Sequence, residues 1–520
     1  MIPERGAGRA LAFALAFLAG AATVFGFAPF HLALLPVATL VILFWLWQRA
    51  ATPRTAGWLG FAFGAGLFGA GVSWVFVALE SFGGVPMAVA VVGTAAFAAY
   101  LALFPALAGW VLGRFTQPST AARLVAAAAA WALAEWLRGT LFGGFGWLAL
   151  GYSQLLPAQP LPLSGFAATG GVYLVSFALA ACAAAFACAT DLVAAGRLRR
   201  LPACALVVLL ICGIAWPLGS HDWTQPAGAP LAVSLVQGNV SQQLKFEPGY
   251  RARTLEMYAD LAAAAKGRLV VLPESAFPMF LDEVPPEVLD QLVATGRARK
   301  RDLMLGLFTI EPPLPGDGDP RIYNSVVSLG ETPTQLYRKH HLVPFGESIP
   351  LKSVFGWFIN GVLHIPLADQ AAGPASPPPF DVAGQRVAVN ICYEDVFGAE
   401  LASVARDATL FANVTNDAWY GHSIGALQHN QIAAMRALEL GRPMLRATNT
   451  GITSAIGHDG RILAQLPWFE QGILEIEISG RQGETPFVRT GDWLAVALSG
   501  LCLLLALTAA RRTRHPQPPL

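Results

Sequence analysis

Long apolar runs separated by short polar gaps fill the first 218 positions of the chain. They then give way to a stretch in which apolar runs are brief and turn residues frequent. A hydrocarbon core about 30 Å thick is crossed by ~20 apolar helical residues. Runs near 10–28, 32–48, 57–79, 86–113, 121–137, 166–190 and 201–218 approach that length, and one more lies near 493–510. The pattern predicts a polytopic α-helical membrane domain of seven spans at 1–220, an extramembrane domain at 221–490, and an eighth span with a basic tail at 491–520. The start "MIPERGAGRA" has the basic character of a signal peptide. The run from Ala10 to Phe27 is long for such a core, however, and more spans follow at once, so it is read as a retained span.

Within 221–490 the pattern changes period. "LAVSLVQGNV" (231–240), "RLVVLPESAFP" (268–278), "DLMLGLFTI" (302–310), "RIYNSVVSLG" (321–330), "TQLYRKHHLVP" (334–344), "QRVAVNICYEDV" (385–396), "ATLFANVTNDAWYG" (408–421) and "RATNTGITSAIG" (446–457) read as strands. Amphipathic helices are predicted at 250–267 and near 424–441. Short apolar runs bounded by turn residues suit buried strands covered by helices, so the domain is α/β.

Composition supports the division. The chain of 520 residues is 55% hydrophobic and 13% charged, with a mean hydropathy of +0.51, whereas about 25% charged is usual for a soluble protein. A net charge of +1 and the lack of a basic patch exclude a nucleic-acid partner. Arginine placement sets the orientation, because Lys and Arg gather in short cytoplasmic loops. With the N-terminus and its Arg5 and Arg9 inside, the inner loops and tail hold Arg49, Arg54, Arg114, Arg123, Arg197, Arg199, Arg200, Arg511, Arg512 and Arg514, and the outer loops between spans hold only Arg138. Both termini are then cytoplasmic and the α/β domain is exported.

Five cysteines (Cys182, Cys188, Cys204, Cys212 and Cys502) fall in predicted spans, where they pack as small hydrophobes. Cys392 stands alone in the exported domain, where an unpaired thiol calls for a chemical or intermolecular role. It ends the run "AVNIC", as Glu274 ends "VVLPE", and Lys339 sits in "YRKHH". Strand ends at one sheet edge are the usual place for reactive groups in open α/β folds. A cation favours a thiolate, a carboxylate can take the thiol proton, and an ammonium can stabilise an oxyanion. His341 would share a face with Lys339 in an extended chain and is a rival base. His422 and His429 read as braces of the "NDAWYGHS" turn.

"LPESAFP", "YRKHHLVPFGE" and "NICYEDVF" resemble the signature segments of the nitrilase superfamily. The flanking spans narrow the resemblance to its membrane-embedded branch, the apolipoprotein N-acyltransferase family, over essentially the whole chain. The resemblance implies a nitrilase-like αββα sandwich in which Glu274 is the general base, Lys339 the oxyanion stabiliser and Cys392 the nucleophile. It also implies a supporting acid at Glu347, and supporting roles for Tyr393, whose N–H would join the oxyanion site, and Glu394. Where some relatives carry Trp, this chain has Phe246.

The activity implied is transfer of an acyl chain from a phospholipid donor, through a cysteine thioester, to the N-terminal amine of an apolipoprotein acceptor. The setting implied is the bacterial inner membrane, with the catalytic domain in the periplasm. No cofactor, no metal and a monomer are expected. The apolar stretch "SVFGWFINGVLHIPL" (353–367) is too short to span a bilayer and reads either as core or as a lipid lid bearing Phe355, Trp357 and Phe358. A membrane-anchored amidase acting on a small amide is the alternative enzyme, and a scaffold that has lost catalysis is the alternative of another class.

Overall fold

The computed structural model describes residues 6–114, 120–245, 247–313, 319–349 and 369–512. The chain folds into two compact units: one of Met1–Phe76, Ala88–Asp222 and Thr490–Leu520, the other of Val77–Met87 and Trp223–Arg489.

The first unit is helical. Four helices among the described residues are long and apolar enough to cross a membrane: Ala7–Gly26, Met87–Gly113, Pro162–Ala194 and Leu198–Ser220. A fifth span results if Pro53–Gly71 and Trp74–Phe82, bent by 50°, count as one. The sequence count of eight is therefore only partly matched, for physical reasons that differ by segment. Leu35–Arg49 has 15 residues, about 22 Å of helix at ~1.5 Å per residue, short of the ~30 Å core. Trp493–Ala509 is likewise short. Thr120–Thr140 is long enough but carries Arg123, Glu135 and Arg138. Arg138, read from sequence as an outer-loop residue, lies instead within this helix, fully buried, where its guanidinium donates to the carbonyls of Phe145 and Trp147. The helix Leu201–Ser220 buries only Ala215 and turns Leu206, Leu209, Leu210, Ile214 and Trp216 outward, a surface suited to lipid.

The second unit contains two six-stranded sheets. The strands are β1 (Gln225–Gln237), β2 (Leu269–Val271), β3 (Asp302–Glu311), β4 (Arg321–Gly330), β5 (Leu336–Arg338), β6 (Phe380–Val382), β7 (Gln385–Ile391), β8 (Leu410–Thr415), β9 (Met444–Thr448), β10 (Ser454–Ile456), β11 (Ile462–Gln465) and β12 (Gly472–Gln482). One sheet runs β12-β1-β2-β3-β4-β5 and the other β11-β10-β9-β8-β7-β6. β1, β2 and β3 are mutually parallel in register, as are β7, β8 and β9.

Period-two alternation decides what each face meets. Val233, Leu235, Leu269 and Val271 point into a core shared with Val387, Val389, Ile391, Leu410, Ala412, Val414, Leu445 and Ala447 of the other sheet. Val236 and Val270, one position out of phase, pack with Leu255, Tyr258 and Ala262 of the helix Pro248–Ala264. The helices Gly398–Ala405 and Gly425–Leu440 pack beside the other sheet. Helix, sheet, sheet and helix thus stack as the expected sandwich.

Candidate active site

Three chain reversals bring the sequence-predicted triad together. Glu274 follows β2 and Cys392 follows β7, both at the carboxyl ends of parallel strands, and Lys339 follows β5. β4 joins two of them. The Asn324 side chain donates to Glu274 Oε1 at 2.6 Å, and its carbonyl accepts from the Lys339 N–H at 2.9 Å. Ser275 and Cys392 have φ of 45° and 52°, a left-handed backbone that non-glycine residues rarely adopt and that clusters at functional sites. At Cys392 this conformation turns the chain sharply from β7 into a 3₁₀ turn (Cys392–Val396).

Lys339 is fully buried. Its Nζ lies 2.8 Å from Glu347 Oε1 and 3.9 Å from Glu274 Oε1. Burial alone would lower its pKa, but the charges of Glu347, Glu274 and Cys392 win and raise it, so the ammonium stays protonated. Glu347 is held in place by the Val343 N–H at 2.9 Å on Oε2 and by Asn324 at 3.4 Å on Oε1. The Glu274 carboxyl is raised by burial and by Glu347 against the pull of Lys339, Asn324 and Lys245, and its Oε2 accepts the Asn416 N–H at 2.8 Å. Burial and Glu274 push the Cys392 thiol well above its ordinary value, with Lys339 and a hydrogen bond from Thr415 opposing them. The resting thiol is therefore protonated, and this arrangement requires a base to activate it.

Glu394 does different work. Its carboxylate accepts from Tyr337 OH (2.7 Å) and from the N–H groups of Ile391 (2.6 Å), His340 (2.7 Å) and His341 (3.1 Å). With those acceptor positions taken, it staples the turn after Cys392 to the turn after Lys339. The Tyr393 ring is buried against Phe397 and His341. The rival base His341 stacks on Phe397 at 3.5 Å and pairs through Nδ1 with Glu400 at 2.9 Å, while His340 Nδ1 meets the Gly373 carbonyl.

The residues that sequence reasoning missed are polar ones inside apolar strands or just past their ends: Asn324 in "RIYNSVV", Asn413 and Thr415 in "FANVTND", and Asn416 and Asp417 in the turn that follows it. A polar side chain on a doubly covered strand is a signal, since burial requires it to find partners. Asp417 belongs to a closed ring. His429 bridges Asp417 Oδ1 (2.8 Å) and Asp395 Oδ1 (2.9 Å), and Arg446 spans the other oxygens of both, each at 2.9 Å. Burial alone would raise Asp417 and lower His429. The ion pairs prevail, holding Asp417 below 3.8 through Arg446 and His429, and His429 above 6.5 through Asp395 and Asp417, despite the Arg446 charge.

The sign of the pH dependence follows. The His429 contribution is fully present below 6.5 and is lost as pH rises through its raised folded value. The Asp417 contribution is present above 3.8 and is lost as pH falls through its depressed one. His429→Gln is therefore expected to flatten the alkaline fall in melting temperature and to leave only the Arg446 share of the acid fall. Parallel curves for both proteins would remove His429 from that role. His429 braces the turn as the sequence predicts, through two aspartates that the sequence did not single out. His422 stacks on Phe469 at 3.7 Å. Phe246, Phe355, Trp357 and Phe358 lie outside the described residues.

Both units have counterparts among known proteins. Residues 232–487 match the carbon-nitrogen hydrolase family, so the α/β unit is a domain of that class. Residues 19–185 match the N-terminal domain of apolipoprotein N-acyltransferase. The chain is 48% identical to apolipoprotein N-acyltransferase of Nitrosomonas europaea over 499 residues, covering 95% of this chain and 97% of that one. Identity to the protein of the same name is 42% in Ralstonia nicotianae (96% and 93% covered) and 41% in Methylococcus capsulatus (97% of each). The chain belongs to the apolipoprotein N-acyltransferase family. It is an acyltransferase, and its apolar helices make it a membrane protein of bacterial kind.

Proposed function

We propose that this acyltransferase takes a fatty acyl chain from a membrane phospholipid and passes it, through a thioester on Cys392, to the N-terminal amine of the diacylglyceryl-cysteine of apolipoproteins. Glu274 accepts the Cys392 proton as sulfur attacks the ester carbonyl. Lys339 and the Tyr393 N–H stabilise the oxyanion. Collapse expels the lysophospholipid alkoxide, which takes the proton from Glu274. The substrate amine then attacks the thioester and gives its proton to Glu274, and the departing thiolate recovers it. Splitting the transfer into two steps is the general advantage of a covalent intermediate.

The observation that carries this reading is the convergence of Glu274 and Lys339 on Cys392, in a chain of this family. Labelled phospholipid should yield labelled peptide when a diacylglyceryl-cysteinyl peptide has a free amine, and none when that amine is acetylated. Release of free fatty acid in both cases would contradict it. The alternative hydrolysis of a small amide has less support, since the relatives named above are acyltransferases.

In this reading the chain crosses the bacterial inner membrane eight times, works as a monomer, and keeps its termini in the cytoplasm and the α/β unit in the periplasm. Burial of Arg138 within its helix supports that orientation, because it removes the one exception to the arginine asymmetry. A reporter active only in the periplasm should work when fused near Pro226 and fail at Leu520. The reverse pattern would mean a miscounted span. The segment 353–367 is proposed as a lid whose Phe355, Trp357 and Phe358 shield the acyl chain. Trp357→Ala should then slow acyl loading far more than it lowers melting temperature, whereas truncating a core tryptophan would cost about 3–5 kcal/mol of stability.

A further inference from the structure

A second buried lysine stands behind Glu274. The turn that follows β1 closes with the Lys245 N–H donating to the Ser241 carbonyl at 3.1 Å, and Lys245 is fully buried. Its Nζ donates to the main-chain carbonyl of Glu274 at 3.2 Å. From the same turn, Gln242 Oε1 accepts from Asn416 Nδ2 at 2.6 Å, and the Asn416 N–H donates to Glu274 Oε2 at 2.8 Å. Two residues of one turn thus reach the same glutamate by separate routes, one at its carbonyl and one at its carboxylate. The peptide held by Lys245 leads directly into the left-handed backbone at Ser275, a strained conformation that persists only where its surroundings enforce it.

A neutral donor could make that hydrogen bond. Burying an ammonium costs several kcal/mol of desolvation, so its charge calls for a use. The charged and titratable groups facing Glu274 are Lys339 after β5, Glu347 beyond it, Cys392 after β7, and Lys245 after β1. Glu347 and burial both oppose ionisation of Glu274. We propose that Lys245 is a positioning residue for acyl transfer: it fixes the Glu274 turn through the carbonyl, and its charge keeps the carboxylate ionised for the attack of Cys392. This rests on Glu274 being the base. Burial brings the Lys245 ammonium itself down to about 8 while Glu274 pulls the other way, so the cation is retained at neutral pH.

Removing the cation raises the Glu274 pKa, and the acidic limb of the acyl-loading rate must move with it. The test is single-turnover thioester formation on the full-length enzyme in detergent–phosphatidylethanolamine micelles, followed by intact mass across the acidic and neutral range. Lys245→Gln, which keeps a donor without the charge, and Lys245→Met should shift that limb upward by about one pH unit, making loading about tenfold slower on its acidic side. Lys245→Arg should restore it. If Lys245→Met does not fold, Lys245→Gln alone decides. A limb that stays in place in Lys245→Gln, whatever the melting temperature, overturns the proposal and leaves a structural role only. Glu274→Gln is read in parallel. Wild-type loading by that variant would sink the assignment of the base, whereas an unmoved limb in Lys245→Gln beside an inactive Glu274→Gln sinks only the role of Lys245.

Discussion

Cys392→Ser is expected to fold, insert in the membrane and lose acyl transfer by on the order of 10⁵–10⁶, the scale seen when a nucleophile is removed from a catalytic unit. The site already holds the thiol above its ordinary pKa through burial and the Glu274 charge. The same surroundings disfavour ionised oxygen more strongly, because a hydroxyl starts from a far higher pKa than a thiol. The check is paired: melting temperature for the fold, and labelled acyl group on acceptor peptide for the chemistry. Near-normal transfer by Cys392→Ser would remove the thiol from the nucleophile role.

Lys339→Met should lose at least ~10²–10³ in thioester formation, the cost of one oxyanion donor. Further loss is expected because the same cation supports the thiolate and faces two carboxylates. It should also destabilise the protein, since removing one partner of a buried ion pair costs about 3–5 kcal/mol. These effects can be separated. In Lys339→Met/Glu347→Gln the carboxylate 2.8 Å from Nζ is neutral, so much of the stability should return while acyl loading stays absent. If the double variant recovers loading along with melting temperature, Lys339 acts on the fold and not on the oxyanion.

Much of the α/β unit was legible from the chain because its central strands are apolar runs with sharp ends. The reading of 321–330 coincides with β4, and that of 302–310 falls one residue short of β3. Strands predicted through the site came out short. The run 334–344 yields only Leu336–Arg338, and 268–278 only Leu269–Val271. At both places the chain leaves the sheet just before a candidate site residue, Lys339 or Glu274, as expected where a site overrides local pattern. β12 was missed for the opposite reason. Its "ILEIEIS" alternates apolar and charged residues as a half-exposed edge strand does, and so lacks the unbroken apolar run that marks a buried strand. Of the candidate triad, Glu274 and Cys392 stand out because each ends an apolar run, whereas Lys339 sits in the polar stretch "YRKHH". Their partners do not stand out, because Asn324, Asn416 and Lys245 become partners of Glu274 only when distant strands are brought side by side.

The span count is only partly matched because hydropathy and length part company. Leu35–Arg49 is apolar but short, and Thr120–Thr140 is long but carries three charged residues. No window average separates a buried arginine from one in a loop, as Arg138 shows.

The proposed chemistry passes through a thioester on Cys392, which the intact mass of the purified protein reports. After incubation with a phospholipid of known acyl composition, a single added acyl mass is expected. Peptide mapping should put it on Cys392, hydroxylamine should remove it, and a diacylglyceryl-cysteinyl peptide should discharge it with matching gain of mass. An unmodified Cys392 in a preparation that still acylates the peptide would rule out the thioester route.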